Sequence, residues 1–360
     1  MKLKNKSNQP SSSIESLRLL TPTVAAIIAC LAATPTTNLV ADVWFGLNRI
    51  EAENKDSLEV EPISLRNEPI RPVPTAKDLD ADMVALGRAL FHEPGLSKSA
   101  TIACATCHNI ENGGDDGLRV SKGINGQLGS INAPTVLNAS LNFRQFWDGR
   151  AKTLEEQVPG PIHNPLEMGA DWNHVIGFLK QSPDYQDWFN GVFNDGVTPE
   201  NVVDAIAEYE RSLVTPDSPF DCWLKGDDQS LTELQKRGYQ LFKENQCIGC
   251  HQGVNVGGNL YEPLGVMVDY FEDTEESEQH LGRYVHTGDA KDKHVFKVPS
   301  LRNVARTAPY FHDGSAPDLE TAVRIMLTHQ VGMPKDYDTV KAIAAFLESL
   351  SAEPEAGAIK

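Results

Sequence analysis

The sequence predicts a mostly α-helical protein with an internal duplication, and three observations carry that expectation. Apolar residues recur at helical spacing, with Leu79, Met83, Leu86 and Leu90 on one face of one segment and Leu231, Leu234, Leu241 and Phe242 marking another. No segment sustains the alternation of a β-strand. The text Cys-x-x-Cys-His occurs twice, as Cys104-Ala105-Thr106-Cys107-His108 and Cys247-Ile248-Gly249-Cys250-His251, each behind its own helical segment. Both segments also share a Gly-x-x-Leu-Phe pattern, Gly87 to Phe91 and Gly238 to Phe242. A small residue there lets a second helix approach closely, and the recurrence suggests a duplicated domain.

Each Cys-x-x-Cys-His motif supplies two thiols that can bond to haem vinyl groups and an adjacent imidazole that can hold iron. A thioredoxin-like pair would not require the histidine, and a zinc site would pair the two motifs with each other. They lie 143 residues apart, counted from Cys104 to Cys247. Two covalently bound c-type haems are expected, on Cys104 and Cys107 and on Cys247 and Cys250, with His108 and His251 on the irons. The chain is then a redox protein.

Length and charge narrow the class. At 360 residues the chain can hold two separate cores. The net charge is −18, and residues 1–20 carry four cations against one anion, so the remainder is near −21. That balance argues against nucleic acid and anionic membrane surfaces as partners. The acidic run Glu272, Asp273, Glu275, Glu276, Glu278 reads as a solvated loop. Cys30 and Cys222 are the cysteines left over, so no disulfide framework is evident, and Cys222 reads as a small buried hydrophobe.

Taken in order, residues 1–41 read as an export segment: Lys2, Lys4, Lys6 and Arg18 precede an apolar stretch from Leu19 to Ala33. Three fates compete: cleavage near Ala32 or Ala33, retention as an N-terminal anchor, or lipidation of Cys30. Each puts the haems in the periplasm, with membrane contact only through a retained N-terminus. Residues 42–77, rich in proline, read as a linker or extended lead-in. A helix follows from Leu79 and stops at Pro94-Gly95. Asn201 to Leu213 forms another, started by Thr198-Pro199-Glu200. The stretch Thr215 to Pro219 is the expected boundary between a first haem domain, 78–219, and a second, 220–335. Leu319 to Leu327 and Val340 to Leu350 are the last helices. The segment 336–350 is expected to pack on the first domain, and 351–360 to be a disordered tail.

From about Leu86 to Leu350 the text resembles the bacterial di-haem cytochrome c peroxidases. The matching stretches are Leu96 to Ser99, Asn112 to Leu118, Ala133 to Asn138, Gln145 to Arg150, Gly253 to Asn255, Leu301 to Val304 and Thr307 to His312. The resemblance implies two cytochrome c-like haem domains with an interdomain calcium site. Electrons enter at one haem, from a small cytochrome c or cupredoxin, and hydrogen peroxide is reduced at the other; relatives are commonly homodimers. His108 would then serve the peroxidatic haem and His251 the electron-accepting one, with Met326 as that iron's sixth ligand and Met333 and His329 as spares. Thioether ligation raises the potential. Trp147 would lie between the haems, and Gln157 and Glu167 in the distal pocket, Glu167 moving a proton between the peroxide oxygens. Asn132, Thr307 and the Pro309 carbonyl would hold calcium together with waters.

One departure matters. In well-described members the loop after the first haem motif carries a histidine that caps the peroxidatic iron until the other haem is reduced. Sixteen residues on from His108 stands Ile124, and no histidine occurs from Asn109 to Ile162. Either that iron has an open face in the oxidised protein, or His163 or His92 swings in as a substitute; the first is favoured, because Ile124 has no lone pair. Two rivals to the peroxidase reading remain. Relatives that oxidise tryptophan residues of a partner protein place Tyr where Met326 stands. A plain electron-transfer cytochrome would need neither Glu167 nor Gln157.

Overall fold

The computed structural model describes residues 65–355. The export segment, Cys30 and most of the lead-in therefore lie outside the described residues. The part of the lead-in that is described is no free linker. Ile70 is fully buried and bridges to Gly253, and Val73 is buried too. Glu68 accepts from Tyr239 Oη (2.8 Å) and Lys243 Nζ (3.1 Å). Prolines keep the segment extended, and its alternate apolar side chains strap it to the second half of the chain.

The first lobe begins with α1 (Ala81–Phe91), capped by Asp80, whose carboxylate accepts from Asp82 N and Met83 N. The haem-motif turn α2 (Cys104–Cys107), then α3 (Leu154–Gln157) and α4 (Pro159–His163), are short. The pair α5 (Trp172–Gln181) and α6 (Pro183–Val192) follows, separated by Ser182, which ends one helix and caps the next. The lobe closes with α7 (Pro199–Ser212), capped by Thr198 as its sequence signal predicts. Leu86, Leu90, Phe91, Val202, Ile206, Tyr209 and Leu213 belong to one core, which Phe189 and Val175 complete.

The second lobe repeats the plan. It contains α8 (Pro219–Leu224), α9 (Glu233–Glu244), α10 (Tyr284–Thr287), α11 (Leu319–Ile325), a π-helical turn over Met326–Gln330, and α12 (Tyr337–Glu348). Its core joins Phe220, Tyr239, Phe242, Val323, Leu327, Ile343 and Phe346 to Ile70 of the strap. The only sheet among the described residues is a pair of three-residue strands, β1 (Tyr261–Pro263) and β2 (Val295–Lys297), antiparallel with Tyr261 opposite Lys297.

The shared glycines explain the repeat. A Cβ on Gly87 would sit 1.8 Å from Ala205 O of α7, and one on Gly238 would sit 1.9 Å from Ala342 O of α12. Each glycine lets the lobe's first helix touch the backbone of its last. The expectation that 336–350 packs on the first haem domain is thereby corrected: α12 belongs to the second lobe as α7 belongs to the first, its apolar face matched to α9. The expected disordered tail is corrected in part. Ala352 N donates to Asn303 Oδ1, Arg306 pairs with Glu353, and Glu355 N donates to Val214 O, so residues 351–355 are tied down across both halves. Cys222 is half-exposed rather than buried, because it lies on the outer side of a six-residue helix.

Where the lobes meet, the duplication is visible in the backbone. Asn138 and Asn303 both adopt left-handed φ (60° and 59°), and both donate Nδ2 to the hydroxyl of Thr215. Phe146 and Phe311 repeat the same φ sign, and the bridges Gln145 to Ala151 and Tyr310 to Ala316 are equivalent. Trp147 and His312 therefore occupy equivalent places in the two copies.

Candidate functional site

Short turns present the two Cys-x-x-Cys-His motifs. His108 uses Nδ1 on Gly114 O and His251 uses Nδ1 on Val256 O, each at 3.2 Å, which leaves Nε2 of each ring for a metal. Burial lowers the pKa of both imidazoles, His251 to about 4, so each is neutral and keeps its lone pair. The thiols are pushed the other way by burial, Cys104 to about 12 and Cys107 and Cys247 to about 11. The two cysteine pairs do not converge: among the described residues, three or more metal-capable side chains gather only at His280, His312 and Asp313. The donor set fits two separate haem attachments.

Met326 opens the π-helical turn directly after α11 and is half-buried. Such turns expose a side chain by local misregister and are frequent at functional sites. Of the spares, His329 is engaged through Nδ1 with Val268 O and Met333 is exposed.

Around the first motif, Glu167 and Gln157 are both half-buried. Glu167 Oε1 accepts from Asn164 Nδ2 at 2.7 Å. Burial raises its pKa, opposed by that bond and by the charge of Arg150. The loop carrying Ile124 is docked on the same turn, since Ile124 N donates to Glu167 O at 2.8 Å and Ile124 is buried against Gly169. Gly123 makes this possible: any Cβ there would lie 1.8 Å from Leu166 O. The two candidate substitute ligands are engaged elsewhere. His163 is exposed, bonds Ala170 O through Nδ1 and meets Trp172 edge-on. His92 bonds Arg88 O and lines an open cleft of about 750 Å³ with Lys77, Trp188 and Glu355.

Trp147 joins the halves. Its Nε1–H donates to Asn132 O at 2.9 Å, its carbonyl accepts from Lys297 N, and its ring lies 6.5 Å from that of His312. Asn132 N donates in turn to His312 O. The Asn132 amide donates Nδ2 to Leu118 O, which leaves Oδ1 as the atom able to meet a cation. Thr307 donates its hydroxyl to Val304 O, and Pro309 follows a cis peptide bond. Three residues that sequence reasoning passed over lie in these regions. Asp115 is buried with neither carboxylate oxygen bonded, and burial raises its pKa to about 6. The Lys297 side chain is buried, its amine has no hydrogen bond or ion pair among the described residues, and burial lowers its pKa to about 8. Glu210 of α7 is buried with Oε2 unbonded, and its pKa rises to about 8 for the same reason. Only an unpaired polar residue in a strongly apolar context could have signalled them, and that context is tertiary.

Comparison with known proteins agrees with this arrangement. The family model described as di-haem cytochrome c peroxidase matches residues 81–229. The chain is 50% identical over 287 residues to the cytochrome c peroxidase Ccp of Escherichia coli, covering 79% of this chain and 62% of that longer one. It is 46% identical to the cytochrome c551 peroxidase of Nitrosomonas europaea over 80% of this chain and 85% of the relative. A crystal structure of a MauG-like protein associated with microbial copper homeostasis superposes with a TM-score of 0.67 at 28% identity, covering 81% of this chain and 95% of that one. With paired haem motifs on a duplicated helical frame and matches of this extent, the chain belongs to the di-haem cytochrome c peroxidase family.

Proposed function

We propose that this protein reduces hydrogen peroxide to two waters in the periplasm, drawing two electrons one at a time from a small cytochrome c or cupredoxin. Its haems, when bound, supply one-electron redox chemistry and the centre at which the O–O bond is cleaved. The chain's own residues do the rest. Nε2 of His108 and of His251 would hold the two irons, and Met326 would be the further ligand at the His251 haem. Glu167 would carry a proton from one peroxide oxygen to the other, and the burial that raises its pKa suits a group that must both accept and release a proton. Gln157 orients the peroxide by hydrogen bonding. Trp147 spans the gap between the two centres, and its bond to Asn132 O fixes the indole plane. Lys297 supplies a buried positive charge for a haem propionate, the counter-charge it lacks within the protein. Asn132 Oδ1, Thr307 and the Pro309 carbonyl hold calcium, and the orphaned Asp115 adds negative charge on that side of the molecule.

The observation that carries this reading is the docked loop. Ile124 N donates to the backbone carbonyl of Glu167, which holds the loop beside that residue, and the Ile124 side chain cannot ligate iron. Peroxide therefore reaches the oxidised protein without prior reduction. Met326, in place of a tyrosine, argues against oxidation of a partner's tryptophans. Peroxide consumption with a reduced small cytochrome c tests the proposal. Turnover that falls about 10²- to 10⁴-fold in Glu167→Gln, with unchanged haem absorption, is the expected result. Wild-type protein that exchanges electrons with the carrier but leaves peroxide untouched would make this an electron-transfer cytochrome instead.

A further inference from the structure

The second lobe contains a buried cluster that the peroxidase reading does not use. His280 Nδ1 and His312 Nε2 are 2.9 Å apart, and one carboxylate oxygen of Asp313 falls with them inside a sphere of contact no wider than 4.8 Å. All three side chains are buried, at 6%, 2% and 8% exposure. Aromatic rings wall the cluster: His312 stacks on Phe296 at 4.5 Å, and Phe271 packs against both histidines. His294 pins the backbone by bonding His280 O through Nδ1, and Asp313 Oδ1 is steadied by Ser315 N.

We propose that His280, His312 and Asp313 form a binding site for a borderline divalent transition metal, of which zinc is the representative. Two imidazole nitrogens and one carboxylate are the donor set such ions take, with a water in the remaining position. The nitrogens are 2.9 Å apart, so opening by a few tenths of an ångström brings them to the roughly 3.3 Å of two ligands on one tetrahedral ion. As the structure stands, the two rings share one proton in an N–H···N bond. On binding, the donating ring shifts its proton to its other nitrogen, so both imidazoles stay neutral, and both facing nitrogens and the carboxylate donate to the metal; nothing is oxidised or reduced. The exposed acidic run Glu272, Asp273, Glu275, Glu276 and Glu278 precedes His280 in the chain and raises the local concentration of cations on that loop. This site is separate from the calcium position, whose expected ligands are neutral oxygens. It meets the first lobe through His312, whose ring faces Trp147 and whose carbonyl accepts from Asn132 N, and through the Asp313 carbonyl, which accepts from Arg119.

Calorimetric titration of the calcium-loaded holoprotein with zinc chloride tests the proposal. A single zinc per chain is expected, with affinity weakened roughly tenfold or more in His280→Gln and in Asp313→Asn. Haem absorption and calcium content report that each variant is folded. Zinc that fails to bind the wild type, or binds both folded variants as tightly as the wild type, overturns the proposal; the latter result would assign the ion to an exposed pair such as His286 and Asp148.

Discussion

At the scale of residues, covalent chemistry was legible and burial was not. Haem attachment demands two thiols and an imidazole within five positions, so Cys104, Cys107, His108 and their counterparts announce themselves in the text. The backbone carbonyls that orient the imidazoles, Gly114 O and Val256 O, follow six and five residues later, because a ligating histidine needs its other nitrogen satisfied. Lys297, Asp115, His280 and Glu210 carry no such local signature, since their meaning lies in what the fold places around them. Glu210 gives a pH prediction. Its carboxyl, raised from the ordinary 4.5 to about 8 by burial, binds a proton more tightly folded than unfolded. Its contribution to stability is therefore complete below about pH 4.5 and is lost as pH rises through about 8. Glu210→Gln, which keeps the shape without the charge, is expected to flatten the decline in melting temperature between pH 6 and pH 9, as thermal denaturation followed by circular dichroism would register. An unchanged decline would mean that Glu210 is not the group responsible.

At the scale of elements, periodicity gave α1, and periodicity with the Thr198-Pro199-Glu200 signal gave α7, to within two residues; Asp80 and Thr198 start these helices by accepting from backbone N–H groups of the first turn. The α5 and α6 pair escaped notice: Ser182-Pro183 breaks the periodicity just where one helix hands over to the next. The misplacement of α12 is instructive, since the Gly-x-x-Leu-Phe repeat already required a partner helix for Gly238 as for Gly87. Glycine to alanine in a helix interior ordinarily stabilises by about 0.5–1 kcal/mol. At Gly238 the added methyl would meet Ala342 O at 1.9 Å. Gly238→Ala is therefore expected to reverse the sign and destabilise by about 1–3 kcal/mol, as overpacking does. A melting temperature equal to or above that of the wild type would contradict the close-contact account.

At the scale of the whole molecule, the strap and the second lobe are fastened by buried polar joints that no sequence period encodes. Arg302 and Asp221 are both fully buried and pair at 2.9 Å. The same guanidinium donates to Val254 O and to Arg71 O of the strap. Arg302→Met leaves Asp221 charged and unpaired, so a loss of about 3–5 kcal/mol is expected, with most of it recovered in the double variant Arg302→Met, Asp221→Leu. Failure of the second change to restore stability would show that the bonds to the strap, rather than the ion pair, matter most. Trp147, Asn132, His312 and Lys297 tie the halves together, so under the proposed function the spacing of the two haems would depend on the same contacts that hold the lobes.

The central claim is an asymmetry of ligation: one iron held on both faces by His251 and Met326, the other held by His108 with its distal face unprotected beside Ile124 and Glu167. Low-temperature electron paramagnetic resonance of the fully oxidised holoprotein addresses it most directly. One low-spin and one high-spin ferric signal in equal amounts is the predicted spectrum, and two low-spin signals would contradict it.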